Sequence, residues 1–169
     1  MLTIGGLVLL MIAVLNANRM IVNTDVEPAN SENQTIIAAS AEDLLAEIRS
    51  KKFDQKVVDL PDSTVLKSEQ FTSYNFLGPD AAKDSSIVMP DSGNYQSMRA
   101  YNDIDDYNGY VRTVRMQNSA VYHLDVVVYY VSDSDLENES YIQQYLKKVM
   151  ITAYLQPGRT LKFSTIIAY

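Results

Sequence analysis

The first segment of this chain constrains its fold more than any other feature, because it is apolar and carries no charge before Arg19. Its densely apolar part runs from Leu2 to Leu15, which is shorter than the roughly 18–20 residues of a lasting membrane span. No basic residue precedes it, whereas a secretory signal has a positively charged region there. We therefore expect lipid or other protein chains to cover this segment.

The net charge and the amino-acid composition of the chain exclude several kinds of function and site. The chain has 169 residues, enough for one domain with an appendage, and its net charge is −7 with a pI near 4.6. An acidic chain without a basic patch predicts no contact with nucleic acid. It has no cysteine and a single histidine, His123, so disulfides, thiolate metal sites, cysteine nucleophiles and His-rich metal sites are excluded.

The composition divides the chain into a helical first half and a β-rich second half. All 12 tyrosines lie at Tyr74 or later, and aromatic residues favour strands. The polar stretch 23–35 contains Pro28, where a helix stops, kinks or melts. After it, apolar residues recur at helical spacing and predict an amphipathic helix that ends near Phe53. Its stripe should pack the helix onto a sheet through Ile37, Leu44, Leu45 and Ile48, with Ala41 between them.

The second half predicts an antiparallel sheet. Turn residues punctuate 57–100, which we expect to hold loops with one or two short strands. Alternating or β-branched patterns predict strands at 109–117, 121–132, 149–155 and 160–169, and the acidic stretch 133–140 is predicted to be a loop. The predicted fold class is α+β: a long N-terminal α-helix, kinked or melted near Pro28, packed on a C-terminal antiparallel β-sheet.

This arrangement resembles a type IV pilin or pseudopilin. Two stretches, "YNDIDDYNGY" (101–110) and "LKKVMITAYLQPGRTLKFSTIIAY" (146–169), are similar to minor pilins of the mannose-sensitive haemagglutinin class. The resemblance implies a mature chain from which a short basic leader has been removed. It departs from the family at Gly5, where pilins usually carry a glutamate.

The resemblance implies a structural subunit of an extracellular filament and not an enzyme. Its partners would be identical subunits in a homopolymer, after transient insertion in the inner membrane and handling by an assembly machinery. Such filaments serve cell adhesion, motility, DNA uptake or secretion, and the sequence does not choose among them.

Three regions follow from this interpretation: a protruding apolar helix (1–27), an amphipathic helix on the head (28–56) and a β-rich globular head (57–169). A helix of about 50 residues would be roughly 75–80 Å long, more than such a head can cover. Gly5 and Gly6 allow helices to approach closely. The predicted filament core consists of Ile4, Gly5, Gly6, Leu7, Leu10, Met11, Val14 and Leu15.

The acidic stretch "DIDDYNG" has the oxygen ligands that Ca²⁺ prefers. The candidate ligands are Asp103, Asp105, Asp106 and Asn108, and some pseudopilins bind calcium in a C-terminal loop. However, an EF-hand register counted back from Gly109 places Ile104 at the first ligand position. The alternative is a solvated turn-forming loop on the surface. Apart from calcium, no cofactor is predicted.

Two further patterns have simple alternatives. His123 and Asp125 lie two residues apart on one strand face, as half of a catalytic triad could, or as an ordinary polar pair. The tripeptides at Asn33 and Asn138 match the glycosylation sequon, which matters only in a host that modifies such sites.

The rival interpretation is a secreted or membrane-tethered β-rich binding module. Residues 1–17 would then be a signal or anchor, with "LNA" (15–17) as a small-residue cleavage site. A hydrolase that uses His123 is a more distant third hypothesis.

Overall fold

An antiparallel β-sheet forms the C-terminal part of this protein in a computed structural model, which describes residues 31–58, 60–61, 64–79, 87–116, 120–155 and 159–169. The helices are α1 (Ser31–Arg49) and two single turns, α2 (Gln55–Val58) and α3 (Ser97–Ala100). Three short 3₁₀ helices lie at Ser68–Gln70, Tyr74–Phe76 and Asp105–Tyr107. The strands are β1 (Val111–Arg115), β2 (Val121–Ser132), β3 (Asp135–Ser140), β4 (Leu146–Leu155) and β5 (Arg159–Ala168).

The sheet has five strands in the order β1-β2-β4-β5, with β3 paired to β2. Every pair is antiparallel. In β2 the first residues pair with β1, as Val111 opposite Asp125, while its last residues pair with β3, as Tyr130 opposite Ser140. The longest ladder joins β4 to β5, from Leu146 opposite Ala168 to Leu155 opposite Arg159.

The two faces of the sheet differ because side chains alternate along each strand. One face is covered, and on β2 it presents Leu124, Val126 and Val128, all buried. The other face is partly open: Tyr129 and Val131 are buried on it, but several of its apolar side chains are exposed, namely Val121, Val127, Tyr154 and Ile166. An antiparallel sheet commonly has one covered and one solvated face.

Helix α1 lies against the covered face. Its apolar residues are spaced to form one stripe, and Ile37, Leu44, Leu45 and Ile48 are all buried. Near its start, Asn33 Nδ2 donates to Tyr122 Oη at 3.5 Å. At its end, Arg49 Nε donates to Thr165 Oγ1 of β5 at 3.2 Å. The helix is therefore attached to the sheet at both of its ends.

The predicted long N-terminal helix packed on the sheet is wrong. The described helix has 19 residues, Ser31–Arg49, and residues 1–30 lie outside the described residues. It also ends before Phe53, because the chain after it binds another segment. Lys51 Nζ donates to the carbonyls of Met98 and Tyr101, and the backbone of Lys52 pairs with that of residues 102–104.

The middle of the chain and the acidic stretch also differ from the prediction. The described part of 57–100 holds helical turns and the isolated bridge of Asp91 to Arg112, not strands. The predicted loop 133–140 is a turn followed by β3. A hydrogen bond from the amide of Asp135 to Ser132 Oγ, at 3.0 Å, spans this turn.

Candidate functional site

The most unusual group in the described chain is the ammonium of Lys147, whose side chain is completely buried. Lys147 lies on the covered face of β4 because it alternates with Val149 and Ile151, which are both buried. Its Nζ donates to Phe53 O at 2.8 Å, to Asp54 Oδ2 at 3.0 Å and to Asp105 Oδ1 at 2.5 Å. All three donor positions of the ammonium are thus occupied.

Two aromatic rings enclose this ammonium. Nζ lies 4.4 Å from the ring centroid of Phe53 and 5.0 Å from that of Tyr130. Tyr130 is itself buried, and its hydroxyl donates to Thr72 O at 2.8 Å and lies 3.2 Å from Asp54 Oδ2. We name Lys147, Asp54, Asp105, Phe53 and Tyr130 the Lys147 cluster.

Asp54 is held as an ionised carboxylate. It follows α1 and receives hydrogen bonds from the amide of Lys56 at 3.0 Å and from the amide and hydroxyl of Thr72 at 2.9 and 3.0 Å. Burial works against ionisation, but the Lys147 ammonium and these amides outweigh it and lower the pKa of Asp54. Asp54 is therefore the carboxyl group of the cluster that carries a negative charge.

Asp105 is in a different state, although it contacts the same ammonium. Burial raises its pKa to about 7, the Lys147 ammonium opposes this, and the Asp54 carboxylate adds to it. Its Oδ2 is buried without a hydrogen-bond partner among the described residues. Two carboxyl groups that share one ammonium thus differ in their affinity for protons.

The acidic loop that was predicted to lie on the surface is instead buried. Asp103 and Asp106 are completely buried, and Asp105 is nearly so. Burial, together with the charges of Asp105 and Asp106, raises the pKa of Asp103 to about 8. Asn108 is occupied by the backbone, since it donates to Leu77 O and accepts from the amide of Val128, each at 3.0 Å.

Each of the four candidate calcium ligands makes a hydrogen bond or an ion pair within the protein. Across the described ranges, no group of three or more acidic or histidine side chains is arranged to hold a metal ion. The side chains instead bind the backbone and Lys147: the amides of Asn102 and Asp103 donate to Asp106 Oδ2, and the amide of Asp106 donates to Asp103 Oδ1. The calcium hypothesis stays a prediction.

His123 and Asp125 lie on the open face of β2, opposite Thr113 and Val111 of β1. His123 is exposed, and its Nδ1 lies 3.5 Å from Thr113 Oγ1. This is a cross-strand polar contact, and the hypothesis of a hydrolase that uses His123 stays a prediction.

The two sequons lie in different surroundings. Asn138 is exposed on β3, where its Nδ2 donates to Asp135 Oδ2 at 2.8 Å. Asn33 is half-buried in the first turns of α1, in contact with Tyr122. Asn138 is therefore the more accessible of the two.

A second buried polar group joins α1 to the sheet, and we name it the Glu47 network. Glu47 Oε2 lies 2.5 Å from Arg112 Nη2, and its Oε1 accepts hydrogen bonds from Tyr107 Oη at 2.6 Å and from Ser97 Oγ at 2.9 Å. Tyr110 Oη contacts Ser97 Oγ at 2.9 Å. The other carboxylate of the network is Asp91, whose Oδ2 accepts from Tyr110 Oη at 2.8 Å.

Neither buried polar group was predicted from the sequence, although the sequence contains one signal of each. In "LKKVMIT", Lys147 occupies the same alternation phase as Val149 and Ile151, and in "YVRTV" Arg112 shares the phase of Val114. A charged residue in the apolar phase of a strand indicates a buried ion partner. Nothing in the sequence identifies the partners, since Asp54 and Glu47 lie far away along the chain.

The predicted filament-core residues, from Ile4 to Leu15, lie outside the described residues. Within the described ranges, no helix is both long and apolar enough to cross a bilayer. No protein-family model, curated protein or solved structure matches this chain.

Proposed function

We propose that this chain is a structural subunit of an extracellular, type IV pilus-like filament. In this proposal the apolar segment, Leu2 to Val22, joins identical subunits. The displayed part is α1 together with residues 57–169, and we use the word head for this larger unit from Ser31 onward. The observation that supports it best is the attachment of α1, which follows the apolar segment in sequence, to the sheet through the buried Glu47–Arg112 ion pair and a hydrogen bond near each end of the helix.

This attachment would transmit a mechanical force from the N-terminal segment to the sheet. The Glu47 network ties the last turns of α1 to β1, and Arg49 ties the same end to β5. A pull applied through the N-terminal segment would reach the sheet through these contacts. In the Lys147 cluster and in the Glu47 network, each buried cation is paired with a carboxylate of the same group. Such internal pairing agrees with a structural role for the head.

The apolar segment at residues 2–22 itself favours a polymer. A contiguous apolar surface in water demands a partner. If each copy covers the segment of the next by one repeated contact that does not close, the product is an open helical filament. Before assembly, lipid of the inner membrane would cover the same residues.

The test is to shear surface filaments from the producing cells and to identify the subunit by mass spectrometry and electron microscopy. The full chain should be in the filaments. Leu10→Asp should abolish its incorporation, because a buried carboxylate without a partner is costly, and Leu10→Ile should not. A folded head is verified by circular dichroism. Incorporation of Leu10→Asp at the wild-type level would overturn the proposal.

The second candidate function is the tethered binding module, and a set of exposed apolar side chains favours it, because such side chains can bind a partner. Phe76, Tyr141 and Ile142 are 75%, 72% and 66% exposed, and the ring of Tyr74 contacts that of Tyr141 at 5.0 Å. The N-terminal sequence of the native protein discriminates between the two candidates. A chain that begins after residue 17 supports the module, and one that retains Leu2 to Leu15 supports the filament subunit.

A further inference from the structure

We propose that Lys147 and Asp105 become joined covalently, by an amide bond between Nζ and Cγ, with Asp54 as the residue that moves the proton. The product is an isopeptide cross-link between β4 and the turn at Asp105–Tyr107, inside the core of the head. This proposal concerns the head alone and does not depend on whether the chain forms filaments.

The reacting groups are already in contact. Nζ lies 2.5 Å from Asp105 Oδ1, and all the groups involved are buried, with exposed side-chain fractions of 0% for Lys147 and 3% for Asp105. A nitrogen at this distance from one carboxyl oxygen is close to the near-attack range of about 3–3.5 Å from the carboxyl carbon. Lys147 is fixed by β4 and Asp105 by its turn, so little reorganisation is needed.

Asp54 is positioned as the base. Its Oδ2 lies 3.0 Å from Nζ, and the amides of Lys56 and Thr72 keep it ionised. Its carboxylate is also near enough to Asp105 to raise the pKa of that group. Asp54 can therefore exchange protons with the amine on one side and with the departing oxygen on the other.

The reaction balances without any further reagent. Asp54 takes one proton from the Lys147 ammonium, and the neutral amine attacks Cγ of protonated Asp105. Asp54 then passes this proton to a hydroxyl of the tetrahedral carbon and takes a second proton from the nitrogen. One N–C bond forms, one C–O bond breaks and one water leaves. Asp54 ends protonated, so a cation and an anion are both removed.

The surroundings favour the amide. A buried ion pair carries a large desolvation penalty, and its conversion into a neutral amide and a neutral acid relieves that penalty. The rings of Phe53 and Tyr130 cover Nζ at 4.4 and 5.0 Å and exclude the water that hydrolysis would need. Burial, which raises the pKa of Asp105 to about 7, keeps part of this group in the protonated form that an amine can attack. The chain has no cysteine and therefore no disulfide, so this bond would supply a covalent cross-link in place of one.

The first experiment is the intact mass of the purified, denatured full chain. We expect it to be lighter by one water molecule than the mass of the sequence. After trypsin digestion, a branched peptide should join residues 100–112, which contain Asp105, to residues 116–148, with no cleavage after Lys147. A full sequence mass in the folded, matured protein would overturn the proposal.

The same digest tests which carboxyl group reacts. A link from Lys147 to residues 53–56 would place the bond on Asp54 and overturn the assignment of Asp54 as base and Asp105 as the reacting carboxyl group. Asp54→Asn keeps the size of the side chain and removes the base, so this variant should show the full mass. Glu137→Gln removes the ion partner of the neighbouring Lys148, which lies at 2.8 Å, and should keep the cross-link. The wild-type mass decides the question even if Asp54→Asn does not fold.

Discussion

Glu47 of α1 and Arg112 of β1 form a buried ion pair, with 2.5 Å between Oε2 and Nη2 and side-chain exposures of 8% and 4%. Removal of one partner leaves the other charge buried without compensation. We therefore expect Glu47→Ala to lower the free energy of unfolding by about 3–5 kcal/mol, measured by urea denaturation. Glu42→Ala, at an exposed position on the same helix, should change it by less than about 0.5 kcal/mol.

The double variant Glu47→Leu with Arg112→Met separates charge pairing from packing. Replacement of a whole buried ion pair by apolar side chains is often neutral or stabilising. We expect the double variant to be more stable than Glu47→Ala. If it were equally unstable, the hydrogen bonds to Ser97 and Tyr107 would be the main contribution of Glu47.

Leu44 tests the apolar contact of α1. It is completely buried within the core. Leu44→Ala removes buried methyl groups and leaves a cavity, so we expect a loss of about 2–5 kcal/mol in thermal or urea unfolding. Asp43→Ala on the exposed side of the helix is the control. A loss below about 1 kcal/mol at Leu44 would mean that the helix contributes little to the stability of the head.

Gly109 tests a backbone requirement. Its φ is +82°, its amide donates to Val126 O at 3.0 Å, and an added Cβ would meet no atom within 4 Å. The cost of a side chain is therefore conformational, and we expect Gly109→Ala to lose about 1–2 kcal/mol. Gly109→Asn should lose less, because asparagine tolerates this region. Equal losses in both variants would contradict this explanation.

Asp103 gives the head an unusual pH dependence. Burial raises its pKa from 3.8 to about 8, with the charges of Asp105 and Asp106 adding to the effect. Between these values the folded state binds a proton that the unfolded state releases. The free energy of unfolding should therefore fall as the pH rises from about 4 to 8, by up to about 1.4 kcal/mol per pH unit.

Asp103→Asn removes this titration and keeps the Oδ1 that accepts from the amide of Asp106. We expect urea denaturation midpoints to depend less on pH in this variant, which should exceed the wild type in stability near pH 8. Equal slopes for the two proteins between pH 5 and 8 would show that Asp103 does not titrate in this range.

The strands could be predicted from the sequence where apolar side chains recur at alternate positions. The pattern of β2 has the bounds Val121–Ser132 in both sequence and structure. β3 was not predictable, because "DLENES" lacks β-favouring residues and pairs only because β2 extends past β1. The strand depends on its neighbour more than on its own composition.

The apolar stripe of α1 could be predicted from the sequence, but the length of the helix could not. The spacing of Ile37, Leu44 and Ile48 is a local property. The end at Arg49 is not local, since it depends on residues 98–104, which bind the side chain of Lys51 and the backbone of Lys52. The burial of the Asp103–Asp106 loop is equally non-local, because it requires Lys147 from β4.

The attachment of α1 to both edges of the sheet also has a consequence for the order of folding. Glu47 and Arg112 are 65 residues apart, and Arg49 and Thr165 are 116 residues apart. Contacts between such distant residues slow folding, because the loops between them must close first. During synthesis, α1 leaves the ribosome before every strand that it contacts. The helix must therefore wait for β5, and a ribosome stalled before Arg159 would hold a chain whose earliest helix still lacks its final contact.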